Sequence, residues 1–191
     1  INSKEYAVPL VVEEPSIVAA LSAAAKLARG SGGFTTTSTD PILIGQIQII
    51  DIPDISRARA SILEHKQEIL DLANSFHPRM VARGGGAVGL EVNSFPMTST
   101  DGDMLVVNLL VDTRDAMGAN LVNTICEALA PDIAALCEGQ VALRILSNLA
   151  DRSLFTARVR YSLPEEVRDA IVTANDIASV DPYRATTHNK G

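Results

Sequence analysis

Apolar and polar positions alternate, or recur at helical spacing, along most of this chain. Residues 7–12 (AVPLVV) read as a short buried strand. Ile17 to Arg29 is rich in Ala and Leu, and Pro15 and Gly30 frame it as a helix. Residues 30–41 (GSGGFTTTSTDP) read as a Gly/Ser/Thr loop, a hinge or domain crossing. Residues 42–50 then predict a strand. Residues 54–76 predict a helix with Ile55, Ala58, Ile62, Ile69, Leu72 and Phe76 on one side. Strands follow at 87–95 and 103–112, the second after a Thr-Ser-Thr-Asp-Gly turn. A helix over 116–136 carries Leu121, Ile125, Leu129, Ile133 and Leu136 as its stripe, and 140–147 closes with a strand. Strand, helix, strand, strand, helix, strand is the split βαβ order of a ferredoxin-like domain. A strand at 154–162, a helix from Pro164 to Ala178 and a helix opening at Asp181-Pro182 complete the chain.

The expected fold is therefore α+β. A ferredoxin-like small domain (41–147) is inserted into a mainly helical large domain, of which 1–40 and 148–191 are two segments. Beginning without Met and ending at Asn189-Lys190-Gly191, the chain reads as an internal piece of a longer protein.

Composition narrows the partners. At 191 residues, 47% hydrophobic and 20% charged, the chain can bury a core. A net charge of −7 argues against nucleic acid or an anionic membrane surface as a general partner. No apolar run is long enough to span a bilayer, so a cytoplasmic protein without a membrane partner is expected. Cys126 and Cys137 lie in an apolar helical stretch without a neighbouring His pattern. They read as buried free thiols, and no metal site is expected.

Four polar constellations could carry chemistry. Asp115-Ala116-Met117-Gly118-Ala119-Asn120 falls between a strand and a helix, where free backbone N–H groups and the positive helix end suit a pyrophosphate. On spacing alone, Asp115 could equally cap the helix. Arg83-Gly84-Gly85-Gly86 reads as a plain loop rather than a dinucleotide fingerprint. In Glu13-Glu14-Pro15-Ser16, the carboxylates could complement a helix dipole, or one could be buried and act as a proton donor. In 181–190 (DPYRATTHNK), Lys190 could stabilise an oxyanion and Arg184 could hold a carboxylate by paired hydrogen bonds. The alternative there is a solvated helix start.

Taken together and in order, EEPSIVAA, DAMGAN, SNLAD (Ser147 to Asp151) and DPYRATTHNKG resemble class II 3-hydroxy-3-methylglutaryl-coenzyme A reductases. The resemblance spans essentially the whole chain. It implies an enzyme that interconverts that thioester with mevalonate and coenzyme A, using NADH or NADPH. It also implies a large domain that binds the thioester, a small domain that binds the nicotinamide cofactor, and a homodimer or higher oligomer with shared active sites. It assigns Glu14, Lys190 and Asn148 as catalytic. Ser16, Arg184 and Thr187 become substrate-binding. Asp115, Ala116, Met117, Gly118 and Asn120 become cofactor-binding.

Under that resemblance, Lys190 stabilises the oxyanion of the first reduction and Glu14 gives a proton to the aldehyde oxygen in the second. Glu14 must then be buried or hydrogen-bonded to hold its proton near neutral pH. The family's catalytic Asp and His lie outside this chain, which is expected to be inactive alone. NADH-preferring members carry an Asp shortly after the Gly triplet, where this chain reads Ala87-Val88-Gly89-Leu90. Cofactor preference is thus open, as is the direction, synthetic or degradative. The rival class is a non-catalytic ferredoxin-like module that binds a nucleotide or a protein.

Overall fold

The computed structural model describes residues 1–10, 14–98 and 102–190, the side chain of Lys190 excepted. In chain order the elements are α1 (Pro15–Gly30), β1 (Thr35–Ser38), β2 (Ile42–Ile50), α2 (Ile55–Glu64), α3 (Lys66–Ser75), α4 (Pro78–Ala82) and β3 (Gly86–Pro96). Then come β4 (Asp103–Asp112), α5 (Ala119–Cys137), β5 (Gln140–Leu146), β6 (Phe155–Arg158), α6 (Glu165–Val180) and α7 (Pro182–Lys190). The chain divides into two compact units, Ile1–Thr37 with Phe155–Gly191, and Ser38–Leu154. The architecture is mixed α/β.

The 38–154 unit holds a four-stranded sheet in the order β3-β4-β2-β5, with every neighbouring pair antiparallel. Strand alternation sets its buried face. In β2 the side chains of Ile47 and Ile49 are fully buried, while Gln46 and Gln48 point to the other face. Leu105, Val107, Leu109 and Val111 of β4 bury the same face as the two isoleucines. Helices α2, α3 and α5 cover it, contributing Ala58, Ile62, Ile69, Leu70, Ala73, Ile125, Leu129 and Ile133 to one core. Each such Leu or Ile stabilises the fold by roughly 2 kcal/mol.

One glycine permits that packing. A Cβ at Gly45, in the middle of β2, would lie 2.7 Å from Cγ1 of Val122 and would also overlap Sγ of Cys126. Helix α5 therefore seats directly on the β2 backbone. Two amide side chains pin the helices to the sheet. Asn74 Oδ1 accepts from the Ala87 N–H at 2.8 Å and its Nδ2 donates to the Ala87 carbonyl at 3.0 Å. Asn123 Oδ1 accepts from the Leu146 N–H at 2.8 Å.

The other unit pairs the two short strands β1 and β6 and carries α1, α6 and α7. Among its described residues only Ala28 and Ala178 are buried hydrophobics, while Leu21, Leu27, Ile171, Val172 and Ile177 are each about half exposed.

Several expectations from sequence are corrected. Residues 7–10 are not a strand, and 11–12 lie outside the described residues. The stretch 30–41 contains strand β1, because three consecutive β-branched residues, Thr35 to Thr37, outweigh the flanking glycines. The 54–76 helix is two helices broken at His65 (φ −89°, ψ 13°), whose ring Nδ1 meets the Ser61 carbonyl at 2.8 Å. That break rephases the buried stripe, so Leu70 and Ala73 are inside while Leu72 and Phe76 are exposed. Helix α5 starts at Ala119 rather than 116, and β6 is shorter than 154–162.

Cys126 and Cys137 are free and buried. Burial pushes the Cys126 thiol up to about 12, with the charge of Glu127 adding, and the Cys137 thiol to about 11. Both values lie above the ordinary 9.0, so the thiols' contribution to stability is complete below about pH 9. It is lost as pH rises through the folded values. The urea midpoint should decline across that window. At pH 8 both thiols should resist an aromatic disulfide reagent until the protein is unfolded, and rapid labelling of the native protein would contradict this.

Candidate active site

The turn between β4 and α5 is built from the end of the sheet outward. Asp112 is buried at the last position of β4, and its Oδ1 accepts from the Arg114 N–H at 2.9 Å. Arg114 adopts φ 52°, and its guanidinium pairs with Asp112 Oδ2 at 3.4 Å. Nε and Nη2 of the same guanidinium donate to the Gly84 carbonyl, the former at 2.8 Å. Thr113 ties the turn to the start of β2, its N–H donating to the Pro41 carbonyl at 3.1 Å. Residues 112–115 and the glycine turn at 84–86 are thus locked together. The sequence pattern did not single out Arg114; an Asp-x-Arg run at a strand end was the available signal.

Gly118 is the N-cap of α5, at φ 79°. A Cβ there would lie 2.9 Å from Cβ of Thr113 and 3.1 Å from Leu43 Cδ1. The left-handed backbone and the missing side chain are both required. No side chain among the described residues caps the helix. Asp115 does not act as the cap; it is exposed in the turn, as are Ala116 and Met117, the latter at 76%. Asn120, in the first helical turn, is exposed too. The first backbone N–H groups of α5 therefore have no side-chain acceptor, which leaves an opening suited to an anion.

Ser147 to Asp151 lie in the segment after β5. The Ser147 N–H donates to the Ile44 carbonyl at 2.8 Å, and Asn148 is exposed beside it. The segment is held down by the residue that follows it. Arg152 forms a two-pronged pair with Glu91 of β3, at 2.7 and 3.0 Å. The hydrogen bond that Arg152 donates to Glu91, then the Glu91 charge, holds the Arg152 pKa up.

In the other unit, Glu14 is the extended N-cap of α1 (φ −139°, ψ 126°), and Ser16 Oγ donates to its Oε1 at 2.5 Å. Glu13 lies outside the described residues. Glu14 is exposed, so the burial expected of it is not provided by this chain; the hydrogen bond is. Arg184 and Thr187 sit one turn apart on α7, both exposed, and Lys190 ends that helix with its side chain outside the described residues. Thr187 Oγ1 donates to the Tyr183 carbonyl at 3.2 Å, and Asp181 caps α7 by accepting from the Tyr183 N–H at 2.9 Å. The predicted residues thus gather into groups within each unit. Glu14 with Ser16 and the α7 set lie in the discontinuous unit; the 115–120 turn and Asn148 lie in the other. Among the described residues no cluster of His, Cys, Asp or Glu is arranged to hold a metal ion, and no helix is long and apolar enough to cross a membrane.

All of residues 1–191 match the family model described as hydroxymethylglutaryl-coenzyme A reductase. The chain belongs to that family. It is 45% identical over 195 residues to the 3-hydroxy-3-methylglutaryl-coenzyme A reductase of Archaeoglobus fulgidus. It is 31% identical over 202 residues to a probable reductase of the same name from Borreliella burgdorferi. In each case the match covers 100% of this chain but 44% of the relative. Among solved structures, the class II 3-hydroxy-3-methylglutaryl-CoA reductase of Streptococcus pneumoniae, bound to NADPH in open conformations, superposes with a TM-score of 0.90 at 43% identity. That match covers 99% of this chain and 53% of the other. A second structure of the Streptococcus pneumoniae reductase gives 0.88 over the same shares. The chain thus spans about half the length of the proteins it matches.

The 112–120 turn makes a prediction of its own. Gly118→Ala should destabilise the 38–154 unit by about 2 kcal/mol or more, from positive φ and overlap with Thr113. Asp115→Ala, which removes no cap, should stay within about 0.5 kcal/mol of the parent. Urea unfolding of both variants checks the pair, and equal losses would refute the assigned geometry.

Proposed function

We propose that this chain is the part of a 3-hydroxy-3-methylglutaryl-coenzyme A reductase that carries the nicotinamide-dinucleotide site and a portion of the thioester site. The reading is carried by the match of the full chain to that one family. Residues 41–147 are the inserted ferredoxin-like, cofactor-binding domain. In support, the sheet order β3-β4-β2-β5 with antiparallel pairs and helices on one face is the order such a domain has. Residues 1–40 and 148–191 belong to the substrate-binding domain. The apolar side chains they leave exposed agree with a domain completed by further polypeptide.

The pyrophosphate of NADH or NADPH rests on the turn at Asp115, Ala116, Met117, Gly118 and Asn120. The uncapped N–H groups and the absent Cβ of Gly118 fit such a group. A reduced nicotinamide held there would supply one hydride to the thioester and, once the coenzyme A thiol has left and the cofactor has been exchanged, a second reduced nicotinamide would supply one to the aldehyde. Arg184 holds the substrate carboxylate by paired hydrogen bonds, with Ser16 and Thr187 as further polar contacts. Lys190 stabilises the oxyanion that forms at the reacting carbonyl, and Asn148 is a further catalytic residue. Glu14 delivers a proton to the aldehyde oxygen. Its partner in the structure is Ser16 Oγ, which donates to Oε1 at 2.5 Å. The catalytic set is completed by residues outside this chain, and a homodimer or larger assembly shares the sites.

The test uses the protein extended to the length of its relatives, supplied with mevalonate and coenzyme A and with NAD or NADP. Growth of the reduced-nicotinamide absorbance is expected. Silence with both cofactors, in both directions and with folded protein, would replace the reductase by a non-catalytic nucleotide- or protein-binding module. In the same protein Glu14→Gln should slow mevaldehyde reduction about a hundredfold or more, since a neutral amide cannot supply the proton. Undiminished mevaldehyde reduction would remove Glu14 from that role.

A further inference from the structure

The face of the four-stranded sheet turned away from its helices carries a polar row. Glu91 of β3 stands beside Asn108 of β4, Asn108 beside Gln46 of β2, and Gln46 beside Ile145 of β5. The strand neighbours Leu90, Val92, Val107, Leu109 and Ile47 are buried in the core, so by alternation the row turns outward. Gln46 Nε2 donates to Asn108 Oδ1 at 3.0 Å, and Glu91 receives both prongs of the Arg152 guanidinium at 2.7 and 3.0 Å. Arg152 follows β5, one edge strand, whereas Glu91 lies on β3, the opposite edge strand. The segment after β5 therefore extends across this open face.

We propose that Arg152, Glu91 and Thr39 are positioning residues for the reaction: they clamp the 147–154 segment across the open face and thereby fix the amide of Asn148 for its catalytic role. The inference rests on the reading of Asn148 as catalytic.

Asn148 is exposed, and among the described residues Asn148 to Asp151 make no hydrogen bond outside the segment. Their placement is set from the two ends. At the first, the Ser147 N–H donates to the Ile44 carbonyl at 2.8 Å. At the second, the Thr39 N–H donates to the Leu154 carbonyl at 3.0 Å. Thr39 Oγ1 accepts from the Leu154 N–H at 2.9 Å and donates to the Arg152 carbonyl at 3.0 Å. The backbone of Arg152 is thus held by Thr39 while its side chain is held by Glu91. The short run between Ser147 and Arg152 is confined before substrate arrives.

Magnitudes say where the effect falls. The Arg152 and Glu91 side chains are 42% and 38% exposed, and an ion pair this open adds little to global stability. Its paired hydrogen bonds still fix the guanidinium in one plane and one direction. The consequence is local, in where the loop sits, and a displacement on the order of 1 Å at a catalytic amide is enough to cost rate.

The experiment uses the protein extended to the length of its relatives. Mevalonate formation is followed in the parent, in Glu91→Gln, Arg152→Gln, Thr39→Val and Asn148→Ala, and in the Glu91→Gln/Asn148→Ala double variant. Each clamp variant should lower kcat about threefold to tenfold, with KM for the reduced nicotinamide cofactor within about twofold and the urea midpoint unmoved. In the Asn148→Ala background Glu91→Gln should be silent, because a residue that acts through Asn148 then has nothing left to position. Parental kcat in the clamp variants, or a Glu91→Gln loss of equal size with and without Asn148, would overturn the inference and leave the reductase reading standing. A loss of kcat in step with a lowered urea midpoint would overturn it too, as a purely structural role. Parental kcat in Asn148→Ala would remove the catalytic assignment beneath the inference, and no turnover of the parent with either cofactor would defeat the whole reading.

Discussion

The close seating of α5 on β2 is the constraint on which the rest of the 38–154 unit depends. It exists because Gly45 presents bare backbone to Val122 and Cys126. With the helix that near, Ile125, Leu129 and Ile133 reach the same core layer as Ile47 and Ile49 of the sheet. The N-terminal end of α5 is then brought up against the ends of β2 and β4, where Leu43 and Thr113 crowd Gly118. A packing contact in the core thus decides where the N-terminus of α5, without a side-chain cap, opens. The same contact buries the thiol of Cys126, a small apolar filler whose pKa that burial raises.

Around that terminus the polar groups form a brace. Buried Asp112 fixes Arg114, and Arg114 reaches across to the Gly84 carbonyl. The glycine turn in turn carries α4. A charge pair with one member buried stabilises only when its hydrogen bonds are satisfied, as they are here by backbone on both sides. The brace makes the turn at 112–120, the glycine turn and α4 a single object. A ligand touching all three meets a preformed surface and loses little affinity to reorganisation.

The two units differ in how they are held. The 38–154 unit has a continuous core. The unit formed by 1–37 and 155–191 buries only Ala28 and Ala178 among its described hydrophobics, and keeps its candidate residues Glu14, Ser16, Arg184 and Thr187 exposed. Glu14 itself stands at an exposed N-cap with Ser16 as its hydrogen-bond partner.

Much was legible in the residues themselves. Period-two alternation marked β3, and the 3.6-residue stripe marked α5, because each pattern reports one buried face and apolar burial is what chiefly drives folding. The ordered polar runs Glu13 to Ser16, Asp115 to Asn120, Ser147 to Asp151 and Asp181 to Gly191 were enough to indicate the family. Tertiary structure decided the rest. It broke the 54–76 helix at His65, added β1 where glycines suggested a loop, moved the α5 start to Ala119 and left Asp115 off the cap. It also recruited Arg114, which stands alone in sequence. Local patterns record which face a residue turns to the core, whereas partners thirty or more residues apart, such as Arg114 and Gly84, are chosen by how the elements pack. No window along the chain contains that information.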